Sequence, residues 1–244
     1  MNDQAPIARL IPDRIGGRSG WWKRWETILL AVAAAIFLFN SLASPFFLNP
    51  WNLSDATFNF TEKAIIAFAM ALLIVAGEID LSVASIIAIA STAMGAAATA
   101  GAGTPVLVVI GLAVGLIAGA FNGFIVTRFQ IPSIVVTIGT MSLFRGIAAI
   151  LLTSRIGSTR PTIATGYELE VVTMVVLGGV NILGGSGTIP GVVIAAFVMG
   201  LVTFGFGLLN VPGIVQSIFI GSLLIGVIAL PIVAGRIARR WRAA

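Results

Sequence analysis

The fold class predicted by this sequence is an all-α, polytopic transmembrane bundle containing short and broken helices. Three observations carry that prediction. The 244 residues are 58% hydrophobic and only 9% charged, far below the roughly one-quarter charged content of a water-facing domain. The apolar residues fall into repeated runs of about 20, each long enough to cross a bilayer as a helix. Between the runs, Gly and Pro (28 and 10 residues) mark short turns and interruptions.

The first run, about 27–48, follows a polar and basic arm, residues 1–26. The arm carries Arg9, Arg14, Arg18, Lys23 and Arg24 and ends in GWWKRWE. Its Trp21, Trp22 and Trp25 fit an interfacial belt, or alternatively packing against a neighbouring helix. The run is longer than a signal-peptide core and lacks a clean cleavage site, so it reads as a signal anchor. The polar stretch NPWNLSDATFNFTEK, 49–63, is expected to face the outside. Further spans are expected at about 64–77, 82–100, 105–127 and 132–153.

After Thr153 the pattern changes. SRIGSTRPTIATGYELE is polar, and the apolar 171–183 is too short for a roughly 30 Å core unless tilted, re-entrant or half of a broken helix. Spans at about 190–209 and 213–233 follow, with Pro190 suited to a helix start. The expected organisation is the arm 1–26, a transmembrane domain 27–235 of about eight passes, and a basic tail 236–244. Arg236, Arg239, Arg240 and Arg242 lie in that tail and Arg128 follows the fourth span. Basic residues flanking spans place both termini in the cytoplasm.

This charge distribution also argues against a nucleic-acid partner. With no Cys and no His, thiol chemistry, His catalysis and His metal ligation are excluded, and no metal site is expected. The Gly-rich GGVNILGGSGTIPG lacks the lysine of a phosphate-binding loop.

Several polar residues stand within or beside the spans. Glu78, Asp80 and Ser82 alternate just after Gly77, and Asp80 suits the N-cap of a helix beginning at Leu81. Glu78 is left for a contact with another segment or a partner. Ion or proton coupling is the sharper alternative for these acids. Glu168 and Glu170 are expected to cap or flank the short helix near Val171. Asn122, Thr137, Thr140, Ser142 and Arg145 are candidate pathway residues, able to bond sugar hydroxyls. Ser and Thr also satisfy backbone carbonyls in membrane helices with no ligand. Gly77, Gly178, Gly179, Gly184, Gly185 and Gly187 are the expected hinge or broken-helix positions. Gly111, Gly115 and Gly119 recur on one helix face and permit close helix approach, and Gly200, Gly205, Gly207 and Gly221 suggest similar packing.

Four stretches together resemble a known family: AGEIDLSVAS at 76–85, GFIVTRFQIPSIVVTIGTMSLFRGIA at 123–148, RPTIATGYELEVVTMVVLGGVNILGGSGTIPGVVIAAFVMG at 160–200, and the basic tail. They are similar to permeases of bacterial ATP-binding-cassette carbohydrate importers, in the ribose, xylose, rhamnose and autoinducer-2 branch. Gly77, Ile79, Asp80, Leu81, Ser82 and Val83 match the first family motif, with Glu78 and Ala84 where glycines usually stand. Thr137 to Thr140, Gly166 to Leu169 and Leu177 to Gly179 match others.

The resemblance implies an inner-membrane permease that is not itself an enzyme. Its implied partners are cytoplasmic ATPase subunits, a second permease subunit as homo- or heterodimer, and a periplasmic sugar-binding protein. ATP and Mg would be bound by the ATPase, and no cofactor by this chain. The solute would be a monosaccharide such as rhamnose or ribose, with the pathway lined by spans 64–77, 132–153 and 190–209. Asp80 and Glu168 would be positional residues. Family members run to about 320 residues and ten spans, so a block of about two spans, including the ATPase-docking loop, is missing after Thr153. Either the protein itself lacks the block or the sequence omits it. The alternatives to an ATP-driven permease are an ion-coupled secondary transporter and a truncated remnant that does not transport.

Overall fold

The computed structural model describes residues 25–153 and 165–243. Residues 1–24 of the arm, Trp21 and Trp22 among them, and the whole of SRIGSTRPTIA, 154–164, lie outside that range. Within it the chain forms eight helices: α1 Trp25–Ala43, α2 Pro50–Val75, α3 Val83–Thr99, α4 Thr104–Phe129, α5 Ser133–Thr153, α6 Tyr167–Leu177, α7 Ile189–Leu208 and α8 Gly213–Ala243. Five of them (α1, α2, α4, α5 and α7) are long and apolar enough to cross a membrane.

The expected outside loop 49–63 is instead the first half of α2. Asn49 caps this helix by accepting the Trp51 N–H, and Pro50 occupies its first turn, where a missing N–H costs nothing. The polar side chains that suggested a loop satisfy themselves along the helix. Thr57 donates to the Leu53 carbonyl and Thr61 to that of Thr57. The apolar members find partners, and Phe60 meets Phe197 of α7 edge-on with ring centroids 5.4 Å apart.

The helices form two groups. In one, α7 packs against α1 and α2, and α6 against α2, α7 and α8; in the other, α3 packs on α4 and α5. A smaller contact of α3 with α6 joins them. The main core lies in the first group, around Met70 and Ile74 of α2, Val171, Met174 and Val175 of α6, and Val192, Ala195 and Met199 of α7. Lipid is as apolar as these side chains, so close packing rather than water exclusion holds membrane-depth helices together. Small residues make that packing possible: a Cβ on Gly200 would lie 2.8 Å from Phe60, and one on Gly205 would collide with Asn40. Gly111 abuts Met94 of α3, whereas Gly115, Gly119, Gly207 and Gly221 face open space.

Helix α6 is the exception to the spanning pattern. It has 11 residues, and every one from Glu170 to Leu177 is buried. At about 1.5 Å per residue it is about 16 Å long, half of a bilayer core. Such a segment is tolerated at membrane depth because protein, not lipid, surrounds it. The expected short helix at 171–183 therefore starts four residues earlier and ends at Leu177. Beyond it α8 runs without a break through the basic residues expected as a separate tail.

One end of the bundle gathers the start of α1, the end of α2, the end of α6 and the start of α7. Thr188 donates to Glu26, Gly185 N–H to the Val75 carbonyl, and Trp25 Nε1 to the Leu177 carbonyl at 2.7 Å. This last bond satisfies a helix-terminal carbonyl that has no partner within its own helix. Trp25, expected in an interfacial belt, is 41% exposed and also packs across Gly179.

Candidate functional site

Two polar assemblies lie inside the bundle. The first is built on the non-helical chain between α2 and α3. Helix α2 ends with Gly77 at φ 88°; its N–H bonds the Ile74 carbonyl and that of Glu78 the Leu73 carbonyl. This termination needs a left-handed residue, which glycine supplies at no steric cost. The chain then runs non-helically to Ser82, and α3 begins at Val83 with Ser82 as its N-cap. The expected helix start at Leu81, capped by Asp80, is thus displaced by two residues. The reason is local: Asp80 Oδ1 accepts from Ser82 N–H at 2.7 Å and Ser82 Oγ at 2.6 Å, a turn that holds Leu81 outside the helix.

The segment is gripped from α4 and α5. Ser133 Oγ accepts the Ile79 N–H, and Thr137 Oγ1 accepts the Leu81 N–H, both at 3.2 Å. Asn122 Nδ2 donates to Ser82 Oγ at 2.8 Å. The direction of this relay is dictated by its end. Ser82 spends its hydrogen on the Asp80 carboxylate, so its oxygen can only accept from Asn122. Ser82 is fully buried and Asn122 95% buried, and Asn122 Oδ1 has no partner.

The second assembly lies at the start of α6. Lys63 Nζ bonds both Glu170 oxygens, at 3.0 and 2.9 Å, with side-chain exposures of 16% and 9%. The same ammonium sits 4.7 Å above the Tyr167 ring, and the Tyr167 hydroxyl donates to Glu62 at 2.8 Å. Glu168 Oε2 is buried without a partner. Lys63 lies about 18 Å along α2 from Val75 and Tyr167 about 15 Å along α6 from Leu177, at about 1.5 Å per residue.

Of the residues singled out from sequence, Asp80, Ser82, Asn122 and Thr137 come together in the first assembly, and Glu170 belongs to the second, while Glu168 shares only its helical turn. Glu78 is exposed beside the first. Thr140 and Ser142 bond backbone carbonyls of their own helix at 3.4 and 3.5 Å, a marginal range. Arg145 stands higher on α5, with Nε and Nη2 buried and unpartnered. Among the glycines, Gly179, Gly184 and Gly185 have positive φ, and Gly184 also abuts Gly77 across the two loops. Gly178, by contrast, is right-handed and is required by space, since its Cβ would lie 2.7 Å from the Val192 backbone. Gly187 packs on Val180. The three spans expected to line a pathway are divided, α2 and α7 in one group and α5 in the other.

Sequence reading missed Lys63, Glu62, Tyr167 and Ser133. A signal for the first two existed: Asn49-Pro50 is a helix start, and extending α2 from it carries Glu62 and Lys63 into the membrane. Among the described residues no group of three or more Asp or Glu could hold a metal ion.

Membrane-length helices packed by small residues, a chain unwound between α2 and α3, and a buried half-length helix define a polytopic permease-type membrane protein. The chain belongs to the family described as the branched-chain amino acid transport system / permease component, whose model matches residues 52–154 and 141–228. It is 25% identical to the L-arabinose ABC transporter permease protein AraH of Azospirillum brasilense, over 91% of each chain. It is 24% identical to the autoinducer 2 import system permease protein LsrD of Salmonella typhimurium, over 85% of this chain and 92% of that one. With LsrC of an Enterobacter species the identity is 25%, over 83% and 85%. No solved structure matches.

These relatives agree with the resemblance carried by the four motifs. They also show this chain to be shortened: the alignments run over 315, 304 and 296 residues, more than the 244 present. The two matched segments of the family model overlap at 141–154, where the missing block was placed.

Proposed function

We propose that this chain is the membrane-spanning permease subunit of an ATP-driven monosaccharide importer in a bacterial inner membrane, with both termini cytoplasmic. The observation that carries the reading is the match to arabinose and autoinducer-2 permeases along more than four-fifths of the chain. The positive-inside rule supports the orientation, because Arg128 ends α4 and the last four arginines end α8. Cytoplasmic ATPase subunits, a second permease subunit and a periplasmic sugar-binding protein are the partners such an assembly uses, and ATP and Mg belong to the ATPase. The solute is a ribose-, rhamnose- or arabinose-type sugar.

In this reading the segment 76–82 is the joint between the two helix groups. Its backbone N–H groups are tied to Ser133 and Thr137, so α3, α4 and α5 move as one body when the joint bends.

Ion-coupled transport keeps one specific observation in its favour. The acids of α6 stand in its first turn, and Glu168 Oε2 is buried there without a partner, as an acid that binds a coupling ion would be. Affinity purification of the tagged chain from its native membranes separates the two. Co-purification of a cassette ATPase, whose hydrolysis rises with sugar-loaded binding protein, supports the importer. A chain that purifies free of any ATPase and yet moves sugar with a proton or sodium gradient overturns it.

A further inference from the structure

We propose that the bend between the two helix groups is confined to Glu78, which is the pivot of the joint. The proposal rests on the transport reading above. It deepens that reading by placing the motion on two backbone torsions, ψ of Glu78 and φ of Ile79.

The placement follows from what holds the chain on either side. On the α2 side the backbone is fixed as far as the N–H of Glu78. Gly77 N–H donates to the Ile74 carbonyl and Glu78 N–H to the Leu73 carbonyl, each at 2.9 Å. The loop after α6 adds a second hold, because Gly185 N–H donates to the Val75 carbonyl at 2.9 Å. Gly184 lies so close that a Cβ on it would come within 2.9 Å of Gly77 Cα. Rotation at Gly77 would therefore have to move the α6–α7 loop with it.

On the α3 side the hold begins one residue later. Ile79 N–H is bonded to Ser133 and Leu81 N–H to Thr137, both on α5. Ser82 Oγ accepts from Asn122 on α4, and Asp80 closes its own turn onto Ser82. One set of bonds ends at the N–H of Glu78 and the other begins at the N–H of Ile79. The peptide between them belongs to neither set. Glu78 is exposed and its φ is not positive, so neither packing nor backbone strain fixes it.

The other contacts across the joint are apolar. Ile79 and Val83 pack against the main core, and α3 makes its smaller contact with α6. Apolar contacts are non-directional and can slide, whereas the backbone bonds hold one geometry. The chain passes between the groups a second time at 154–164, outside the described residues. A hinge needs only a few residues at the end of an element to absorb the change in φ and ψ. A pivot this short makes the joint sensitive to the backbone freedom of residue 78 and indifferent to its charge.

The sequence has no Cys, so paired spin labels can be read without background. The full chain is reconstituted in proteoliposomes with its ATPase and binding protein. Distances are measured by double electron–electron resonance with and without ATP. Leu72→Cys on α2 with Leu116→Cys on α4 spans the joint. Leu42→Cys with Leu72→Cys stays within the first group and Val106→Cys with Val135→Cys within the second, all at exposed positions. The expected result is that ATP shifts the Leu72–Leu116 distance and leaves the other two in place. Glu78→Gly raises the population outside the main Leu72–Leu116 peak about two- to fivefold, the worth of glycine's extra backbone freedom. Glu78→Gln, which removes the charge, and Ala76→Gly, which adds the same freedom inside the α2 hold, leave that population unchanged.

ATP-dependent uptake together with an unchanged Leu72–Leu116 distribution in Glu78→Gly overturns the pivot and leaves the importer standing. Broadening in Glu78→Gly without ATP-dependent uptake keeps the pivot and overturns the importer. Equal broadening in Ala76→Gly shows a bend spread along the joint, and broadening of a within-group pair shows groups that are not rigid bodies; either overturns the proposal. Should Glu78→Gly fail to accumulate, Glu78→Asn, with the next most permissive backbone, takes its place.

Discussion

Lys63 of α2 and Glu170 of α6 form a two-pronged ion pair at 3.0 and 2.9 Å. The pair fastens the half-length helix α6 to a full span. At the other end of α6, the Leu177 carbonyl is held by Trp25. An 11-residue helix is too short to be stable by itself, so these two attachments and the enclosed apolar residues between them hold it in place.

Removing one partner of the ion pair is therefore costly. Lys63→Met leaves Glu170 buried and uncompensated, and is expected to destabilise the detergent-solubilised protein by about 3–5 kcal/mol. Adding Glu170→Gln restores much of that loss, because no isolated charge remains. Thermal melts of the two single variants and the double variant measure the coupling directly. Single losses that simply add would show that the two residues do not interact.

Trp25→Phe keeps most of the ring packing over Gly179 and deletes only the indole N–H. The expected loss is about 0.5–1.5 kcal/mol, visible as a lower melting temperature and as faster amide exchange at the end of α6. Faster exchange confined to α1 would show that Trp25 does not hold the α6 terminus.

Glycines on the two sides of the bundle should respond oppositely to a methyl group. Gly178 meets the Val192 backbone, with 2.7 Å available for a Cβ, so Gly178→Ala must push α6 away from α7. Overpacking of this kind costs about 1–3 kcal/mol or more. Gly115→Ala adds a methyl to open space on α4 and should be neutral or slightly stabilising, since alanine favours helix by up to about 1 kcal/mol. Membrane expression levels and melts of the two variants, side by side, check the contrast.

The relay Asn122–Ser82–Asp80 makes a prediction about direction. Ser82→Ala removes the acceptor for Asn122 and one donor to Asp80, leaving the buried Asn122 and the half-buried Asp80 each short of a partner. A cost of about 1–3 kcal/mol is expected. Asp80→Asn keeps an oxygen for the Ser82 N–H and should cost less than Asp80→Ala. Equal losses in the two Asp80 variants would mean that its charge, not its turn-forming bond, is what matters.

The membrane class, the break near Gly77 and the shortness of the helix before Gly178 were legible because they rest on hydropathy and on glycine. The start of α2 was not. Asp55, Glu62 and Lys63 between aromatic residues read as a water-facing loop until the cap at Asn49 and the partners of Lys63 are known. Pairing supplies those partners from 107 residues away, a distance that local pattern does not span. Asp80 and Asn122 were recognisable as polar residues out of place. Their connection through Ser82 depends on how α3 and α4 pack, which single-helix periodicity does not encode. Arg145 was visible as a charge within a span, but the burial of its Nε and Nη2 without partners emerges only in three dimensions.

In the proposed function this chain carries sugar across a membrane at the expense of ATP hydrolysed by a partner. The most direct test is uptake of labelled L-arabinose, D-ribose and L-rhamnose into proteoliposomes holding the chain with its ATPase and binding protein. The expected result is uptake of at least one sugar that requires ATP and persists when proton and sodium gradients are collapsed. Uptake that proceeds without ATP and stops with the gradients, or no ATP-dependent uptake of any of the three, would contradict it.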